Sequence, residues 1–511
     1  MSWLRSDRLA TVGLPGGGIN LASCANSPHF HITLKPDLEE EGAYKLHGEI
    51  IIQRIFAENE TFVQLPTTIA NVPSANYSAT GLVVTDDNGI VPYTSFIVEQ
   101  GFSGLPHRHW KTQRATSGPV SVRFTAHPRQ VNRDSLTSPH FDLRNGTNGL
   151  TGSLWGVLPV HDPTAEDEYD FTVSWDLDPD QSAAFTWADG VGSFSHRFSG
   201  RITDLLFTFF IVGDVHAYPS IPTRKGGKYG MYWLAEPPFN ITETAIFIEN
   251  LLADETSFWE ENSDLPYRVF VRVNEETQKA SMAKGSGGTA LQRSFMFGYN
   301  EEYGINELTL KTLLAHEMTH NWTPWITGSQ AEASRFAEGA AEYWSLRLMW
   351  RNGYITSHQF LSEMNHRLYM YYTNPTRNLS DEAAMEVAWL QREAQRIPYG
   401  RGLIHNANID ADLRAQSNGM QGLDLIARAY VKMCPSNIAC GAEQWFPLLE
   451  DALGKKALEE WHQTTTGKPL IEPREGSLGP CFDVYKNSTE PVIWQWKPKK
   501  DVDLSSKDCL V

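Results

Sequence analysis

The sequence predicts an α+β multidomain fold, in which an N-terminal all-β, sandwich-like domain precedes a mainly helical domain. In the first half, short apolar runs such as 48–56 and 169–175 alternate with turn residues at the spacing of a strand-rich domain. From about residue 240, apolar residues recur at helical spacing instead. The length of 511 residues suits two or three domains of ordinary size.

The domain boundaries are expected where these patterns change. In chain order we predict an irregular N-terminal segment over 1–28, a β-rich domain over 29–213, a mainly helical domain over 214–475 and an irregular tail over 476–511. Within the helical domain we expect helices at 307–322 and 330–351 and a helical subdomain from about residue 356. Extended runs at 267–273 and 294–299 leave room for a small sheet.

Charge and hydropathy restrict the partners. The chain has 43 Lys+Arg against 61 Asp+Glu, which gives a formal net charge of −18. Because nucleic acid repels such a protein, we expect no nucleic-acid partner. The most continuous apolar stretch, 205–212, is far shorter than the roughly 18 to 20 residues that a membrane-spanning helix needs. We therefore expect a soluble protein without a membrane partner, and the sequence is silent on its oligomeric state.

The compartment is less clearly marked. Pro15 and the glycines at 16–18 interrupt the apolar region that a signal peptide requires, which favours the cytoplasm. Seven glycosylation sequons exceed the roughly four that the composition gives, so a secreted protein is the alternative. Five scattered cysteines do not form a disulfide scaffold, and we expect at most one bridge near the C-terminus.

The strongest chemical signal is an HExxH motif within Leu314–Trp322. Residues four apart lie on one helix face, so His316 and His320 can both bind one zinc ion, at about 2.0 to 2.1 Å each. Glu317 projects beside the metal, where it is well placed to accept a proton from water as a general base.

A second helix supplies the remaining ligand. The segment Phe336–Trp344 carries two carboxylates on one face, and Glu338 is the expected third ligand. A catalytic zinc ion takes three protein ligands and keeps its fourth position for water, so these residues complete a site for one Zn²⁺. Glu342 can lie on the same face and orient a ligand imidazole through its other ring nitrogen. The alternative for Glu342 is a glutamate on the helix surface.

These motifs resemble the gluzincin zinc metallopeptidases, and within them the glycyl-aminopeptidase-like family. The similarity covers about residues 240–435 and consists of HEMTHNW at 316–322, FAEGAAEYW at 336–344, PYGRG at 398–402, and the run from 409–414 to 422–424. The resemblance implies a thermolysin-like catalytic domain behind a β-rich domain. The PDZ module that often ends such chains is not evident here.

The resemblance also implies roles for further residues. Tyr399, in the Tyr-x-Arg-Gly motif, is expected to donate a hydrogen bond to the oxyanion of the tetrahedral intermediate. Family members usually carry Gly-Gly-Leu-Glu-His ahead of the zinc helix, and its glutamate binds the amino terminus of the substrate. Gly287 and Gly288 keep that register and are the candidate substrate-binding residues, but Ala290 replaces the glutamate.

The predicted function is zinc-dependent hydrolysis of peptide bonds, with a peptide as the substrate. The family favours an aminopeptidase, whereas Ala290 favours an endopeptidase of the same fold. The sequence is also compatible with a zinc-containing binding protein without activity, or with an epoxide hydrolase side activity. We expect the substrate to pair with an edge strand near 294–299.

Overall fold

The computed structural model describes residues 29–39, 43–78, 81–132, 135–164, 167–188, 190–191, 195–220, 228–274, 287–300, 305–323, 329–434, 440–486, 491–506 and 509. The predicted N-terminal segment, 1–28, lies outside the described residues.

The first part of the chain consists almost entirely of strands. In chain order they are β1 (His29–Asp37), β2 (Lys45–Ile52), β3 (Thr61–Pro66), β4 (Thr68–Ile69), β5 (Val72–Pro73), β6 (Val83–Asp86), β7 (Gly89–Ile90), β8 (Tyr93–Val98), β9 (His107–Thr112), β10 (Val120–Ala126), β11 (Arg144–Gly146), β12 (Gly149–Ser153), β13 (Tyr169–Trp175), β14 (Ser182–Phe185), β15 (Ser195–Gly200), the short helix α1 (Ile202–Leu206) and β16 (Phe209–Gly213).

Three sheets share the core of this part. A seven-stranded sheet has the order β15-β13-β1-β2-β10-β6-β7, a four-stranded sheet the order β11-β12-β16-β14, and a three-stranded sheet the order β3-β9-β8. Side chains of β2 alternate between buried and half-buried positions, as expected when one face of a sheet covers a core. Phe30, Ile50, Trp110, Phe171 and Phe210 meet in that core. The prediction of a sheet-rich N-terminal region is confirmed.

The second part combines a small sheet with helices. Its elements are β17 (His216–Tyr218), β18 (Tyr229–Trp233), α2 (Ile241–Phe258), β19 (Tyr267–Val273), β20 (Gly287–Leu291), β21 (Ser294–Tyr299), α3 (Glu307–Thr319), α4 (Gln330–Arg351), α5 (Ser357–Tyr372), α6 (Asp381–Val387), α7 (Arg392–Gln395), α8 (Ile397–Gln416), α9 (Leu423–Met433), α10 (Ala442–Leu453), α11 (Lys456–Thr465), β22 (Phe482–Lys486) and β23 (Trp494–Pro498). The helical character of this part is confirmed.

The order of the five-stranded sheet corrects one prediction. The order is β17-β18-β19-β21-β20, so the segment 294–299 is internal, and β17 and β20 are the two edge strands. Every residue of β21 is buried, as in a strand covered on both faces, whereas β20 is half-buried. Next to 294–299, the edge at which a substrate strand could pair is therefore β20, and not 294–299 itself.

Helices α3 and α4 begin directly after polar N-cap residues, close to the predicted starts at 307 and 330. The Asn306 side chain accepts a hydrogen bond from the backbone N–H of Thr309 at 2.8 Å, and Ser329 accepts one from Glu332 at 3.2 Å. Helix α4 is buried along nearly its whole length. It is the central helix around which α3, α5 and α8 pack.

A glycine contact sets the distance between α4 and α8. A Cβ atom placed on Gly339 would lie 2.2 Å from the Cα atom of Gly402, and one on Gly402 would lie 2.2 Å from the carbonyl oxygen of Arg335. Neither position admits a side chain, so the two backbones touch. This contact brings the first turn of α8 beside the middle of α4.

Buried ion pairs also join α4 and α8 to α6. Asp381 binds the guanidinium of Arg335 at 3.2 Å and also that of Arg401. Asp410 accepts hydrogen bonds from the backbone N–H of Leu423 and from Arg414, both at 2.8 Å. Several residues of the 398–402 and 409–414 motifs therefore stabilise the helical scaffold.

The C-terminal region differs from its prediction. In place of an irregular tail, the structure has the hairpin of β22 and β23, and the Cys481–Cys509 disulfide closes it. A second bridge joins Cys434 to Cys440, so the expectation of at most one bridge is wrong. Among the described residues, no helix is both long and apolar enough to cross a bilayer.

One buried carboxyl behind α3 gives a test of this packing. Glu255 of α2 is fully buried, and its Oε1 accepts a hydrogen bond from Thr319 at 3.0 Å. Burial raises the pKa of Glu255 from 4.5 to about 8, although the hydrogen bond from Thr319 opposes the shift. The folded protein therefore holds a proton that the unfolded chain has lost between these values, and stability falls as pH rises through that window.

We predict that Glu255→Gln flattens the decrease of Tm from about pH 5 to pH 8, because glutamine keeps an acceptor for Thr319 without the buried charge. Thermal unfolding at a series of pH values measures it, with the exposed Glu386→Gln as the matched control. A Glu255→Gln profile parallel to that of the wild type contradicts the buried, protonated state.

Candidate metal centre

Helices α3 and α4 bring three predicted ligands together. His316 and His320 lie at the C-terminal end of α3, and Glu338 faces them from α4. The two imidazole Nε2 atoms are 3.2 Å apart, and Glu338 Oε2 lies 3.2 Å from His316 Nε2 and 3.4 Å from His320 Nε2. Among the described residues these form the one cluster of three such side chains with the spacing of a metal site.

This triangle fits zinc. A tetrahedral ion with bonds of about 2.0 to 2.1 Å holds its ligand atoms about 3.3 to 3.4 Å apart, which agrees with the three separations. All three side chains are buried, and two imidazoles with a carboxylate are a donor set that zinc commonly takes at catalytic sites. Three ligands from the protein leave the fourth position of the tetrahedron to a water molecule or a substrate.

The cluster carries a strong internal charge coupling. Burial disfavours the charged form of His320, but the adjacent Glu338 carboxylate outweighs it and raises the pKa of His320 to about 9. The same imidazoles overcome burial and hold the pKa of Glu338 well below its usual range. The charges of these side chains therefore stabilise one another, and a metal ion between them would compete with a proton on His320.

Glu342 and Arg367 lie on the side of His316 that faces away from His320 and Glu338 Oε2, next to its Nδ1 atom. Glu342 is buried rather than at the surface, and its Oε1 lies 3.7 Å from Nδ1 of His316. Arg367 of α5 donates a hydrogen bond from Nε to Glu342 Oε2 at 2.6 Å. Arg367 also pairs with Glu363. The arginine fixes the carboxylate that faces the second nitrogen of a ligand imidazole.

Glu317 lies on the side of the cluster toward the edge strand. A Cβ atom on Gly288 of β20 would lie 2.3 Å from the Glu317 carboxyl carbon, so the strand passes directly over this carboxylate. Burial raises the pKa of Glu317, while His316 and His320 oppose the shift. A carboxylate of raised pKa is a better proton acceptor than an exposed one.

Tyr399 lies in the first turn of α8, beside the ligands. Its ring stacks on the imidazole of His316, with centroids 5.6 Å apart and an angle of 9° between the planes. Burial, with the neighbouring Glu338 carboxylate, raises the pKa of Tyr399 well above its usual value. The phenol therefore stays protonated at neutral pH and can donate a hydrogen bond into the site.

A polar chain fixes the edge strand against the segment that follows α3. The indole N–H of Trp322 donates to Glu261 at 2.7 Å, and Glu261 pairs with Arg293 at 2.6 Å. Arg293 lies in the turn between β20 and β21, with a φ of 55°. Gly287, Gly288 and Ala290 all lie on β20, so the structure brings this segment to the cluster.

Two parts of this arrangement were missed by sequence reasoning. Trp322 belongs to a motif that was recognised, but nothing in the sequence identified Glu261 as its partner. Arg367 lies 25 residues after Glu342 on a different helix, so no local spacing connects the two. Both contacts depend on tertiary packing.

We predict that Arg367→Gln and Glu342→Gln each weaken zinc binding by about 10 to 100-fold, because the ligand imidazole loses its oriented partner. Competition with a chromophoric chelator measures the affinity, and thermal unfolding checks that each variant is folded. The exposed Arg197→Gln serves as the control for lost positive charge. Wild-type affinity in both variants would restrict Glu342 and Arg367 to a packing role.

No protein-family model matches the chain, and no curated protein sequence matches it. Solved structures do share its fold. An aminopeptidase N family protein from Idiomarina loihiensis has 14% sequence identity and a TM-score of 0.64, over 87% of this chain and 77% of its own. An M1 zinc metallopeptidase from Deinococcus radiodurans has 16% identity and a TM-score of 0.54, over 88% of this chain and 96% of its own.

Native yeast LTA4 hydrolase is a third such structure, with 14% identity and a TM-score of 0.53, over 88% of this chain and 68% of its own. At these identities the likeness concerns the fold. The chain has the fold of the M1 zinc metallopeptidases, which supports in broad terms the resemblance to aminopeptidase-like gluzincins.

Proposed function

We propose that this protein is a zinc peptidase that hydrolyses peptide bonds at the His316, His320 and Glu338 cluster. One observation carries the proposal: three ligand atoms lie 3.2 to 3.4 Å apart, as zinc requires, with a fourth position free. The finer placement in the glycyl-aminopeptidase-like family is part of the proposal and rests on the motifs at 316–322, 336–344 and 398–402.

His316, His320 and Glu338 would hold a zinc ion, which would supply Lewis-acid chemistry for the scissile carbonyl and for the attacking water. Glu317 accepts the proton of the attacking water and then delivers it to the leaving amine. The Tyr399 hydroxyl donates a hydrogen bond to the oxyanion without bringing a charge into a crowded site. His316, His320 and Glu338 hold the ion, and Glu342 orients His316.

The substrate is proposed to be an extended peptide that pairs with β20. This strand is an edge of the five-stranded sheet and passes over Glu317 at Gly288. Extended ligands commonly add a strand to such an edge, where backbone hydrogen bonds hold them in register. A peptide bound there runs past the metal cluster with its backbone toward the general base.

The proposed function allows cleavage either at the amino terminus of a peptide or at an internal bond. Ala290 supplies no carboxylate to bind the amino terminus of a substrate, which favours internal cleavage or recognition by another feature. An aminopeptidase would require an anion elsewhere. Cleavage of a peptide library distinguishes the two.

We predict that the zinc-loaded wild type cleaves members of a mixed peptide library and that Glu317→Gln does not, because glutamine accepts no proton. Tyr399→Phe should retain zinc and lose about 10² to 10³ in kcat. Mass spectrometry of every product reads the result, and single residues released from N-termini or internal cuts identify the class of peptidase.

The outcome that contradicts this proposal is the absence of any Glu317-dependent product from a protein with a full zinc content. That result would favour a zinc-containing binding protein without activity. Products that persist equally in Glu317→Gln would point to a contaminating peptidase.

We also predict different effects at two neighbouring glycines of β20. Gly288→Ala should lower kcat at least 10-fold, because the added Cβ would meet Glu317 at 2.3 Å and displace the general base. In Gly287→Ala the nearest atom to the new Cβ is Ser138 Oγ at 3.6 Å, an ordinary contact, and most of the kcat should remain. Equal kcat values for both variants would contradict the placement of Glu317 under Gly288.

A further inference from the structure

The carboxylates around the metal cluster already have partners. Glu338 contacts both imidazoles. Glu342 and Glu363 both pair with Arg367. In the proposed function Glu317 is the general base. None of these side chains is left to attract a positively charged substrate group.

Arg396 approaches the site from the N-terminal end of α8. Its Cζ lies 4.9 Å from the centroid of the Tyr399 ring, which stacks in turn on His316. Its positive charge lies within electrostatic reach of the Glu317 and Glu342 carboxylates. It forms no ion pair with either one.

Arg392 lies one helical turn earlier, beside Arg396. Burial and the like charge of Arg396 lower the pKa of Arg392, and the nearby Tyr399 and Glu393 oppose that shift. Both arginines are half-buried. Among the described residues, neither guanidinium donates a hydrogen bond or forms an ion pair, so the ten N–H hydrogens of two adjacent cations are available near Tyr399.

The edge strand that passes over Glu317 carries no charged side chain. The edge strand β20 reads Gly-Gly-Thr-Ala-Leu and has no carboxylate, and Gln292 follows it. Two half-buried arginines next to a bound cation repel an ammonium group and attract an anion. A planar guanidinium also matches the two oxygens of a carboxylate.

We propose that Arg392 and Arg396 bind a carboxylate of the substrate beside the scissile bond, so that the enzyme prefers anionic peptides. This inference rests on the proposed peptidase function and deepens it. The carboxylate belongs either to the C-terminus of a short peptide or to an Asp or Glu side chain. The chemistry of recognition is the same for both sources, and matched substrates separate them.

The test uses two pairs of peptides based on a sequence that the wild type cleaves. One pair differs only in a free or an amidated C-terminus, and the other has Asp or Asn next to the cleaved bond, with both members amidated. The proteins are zinc-loaded wild type, Arg392→Gln, Arg396→Gln and the exposed control Arg197→Gln. The kcat and KM are measured separately, and calorimetry gives peptide affinities in the inactive Glu317→Gln background.

We expect the wild type to favour the carboxylate member of at least one pair. Each of Arg392→Gln and Arg396→Gln should raise KM for that member, and weaken its binding in the Glu317→Gln background, by about 10 to 100-fold. The neutral member and the Arg197→Gln control should keep their KM. Arg396→Lys should recover part of the preference, because the charge returns without the planar fork.

Two results overturn the inference while leaving the proposed function intact: Glu317-dependent cleavage without a carboxylate preference, or a preference that survives in both arginine variants. The absence of Glu317-dependent cleavage of every peptide overturns the proposed function, and the inference with it.

Discussion

The contact of two helix backbones at Gly339 and Gly402 is the constraint on which the rest of the site depends. Glu338 directly precedes one of these glycines, and Tyr399 lies three residues before the other. Because glycine has no Cβ, α4 and α8 can approach until their backbones touch. At this distance the phenol of Tyr399 stacks on His316, and Glu338 reaches both imidazoles. A larger residue at either position would separate the metal ligands from the hydroxyl group that faces them.

Buried charge maintains this contact. The pairs of Arg335 and Arg401 with Asp381 join α4, α6 and α8, and Arg367 joins α5 to Glu342 of α4. Buried charges are stable only when they are paired and hydrogen-bonded, so each pair fixes the helices in one arrangement. The metal cluster follows the same rule, since two imidazoles and a carboxylate converge on a place that only a cation can occupy without penalty.

Local patterns made part of this arrangement predictable. His316, Glu317 and His320 follow from helical spacing alone, and the buried helix with Glu338 follows closely enough in sequence to suggest a third ligand. The order of the strands could not be read in this way, because a fully apolar strand such as β21 pairs on both sides, and only the assembled sheet shows which neighbour forms the edge. Arg367, Arg392 and Arg396 carry no local signal either. The role of each arginine depends on which carboxylates lie near it in the folded chain.

Whether His316, His320 and Glu338 hold one zinc ion is tested most directly by anomalous scattering. Crystals of the zinc-loaded protein would be measured on both sides of the zinc absorption edge. The account predicts one strong peak within bonding distance, about 2.0 to 2.2 Å, of Nε2 of His316, Nε2 of His320 and Oε2 of Glu338. A zinc-loaded crystal with no peak between these three atoms, or with its zinc bound to other residues, would contradict it.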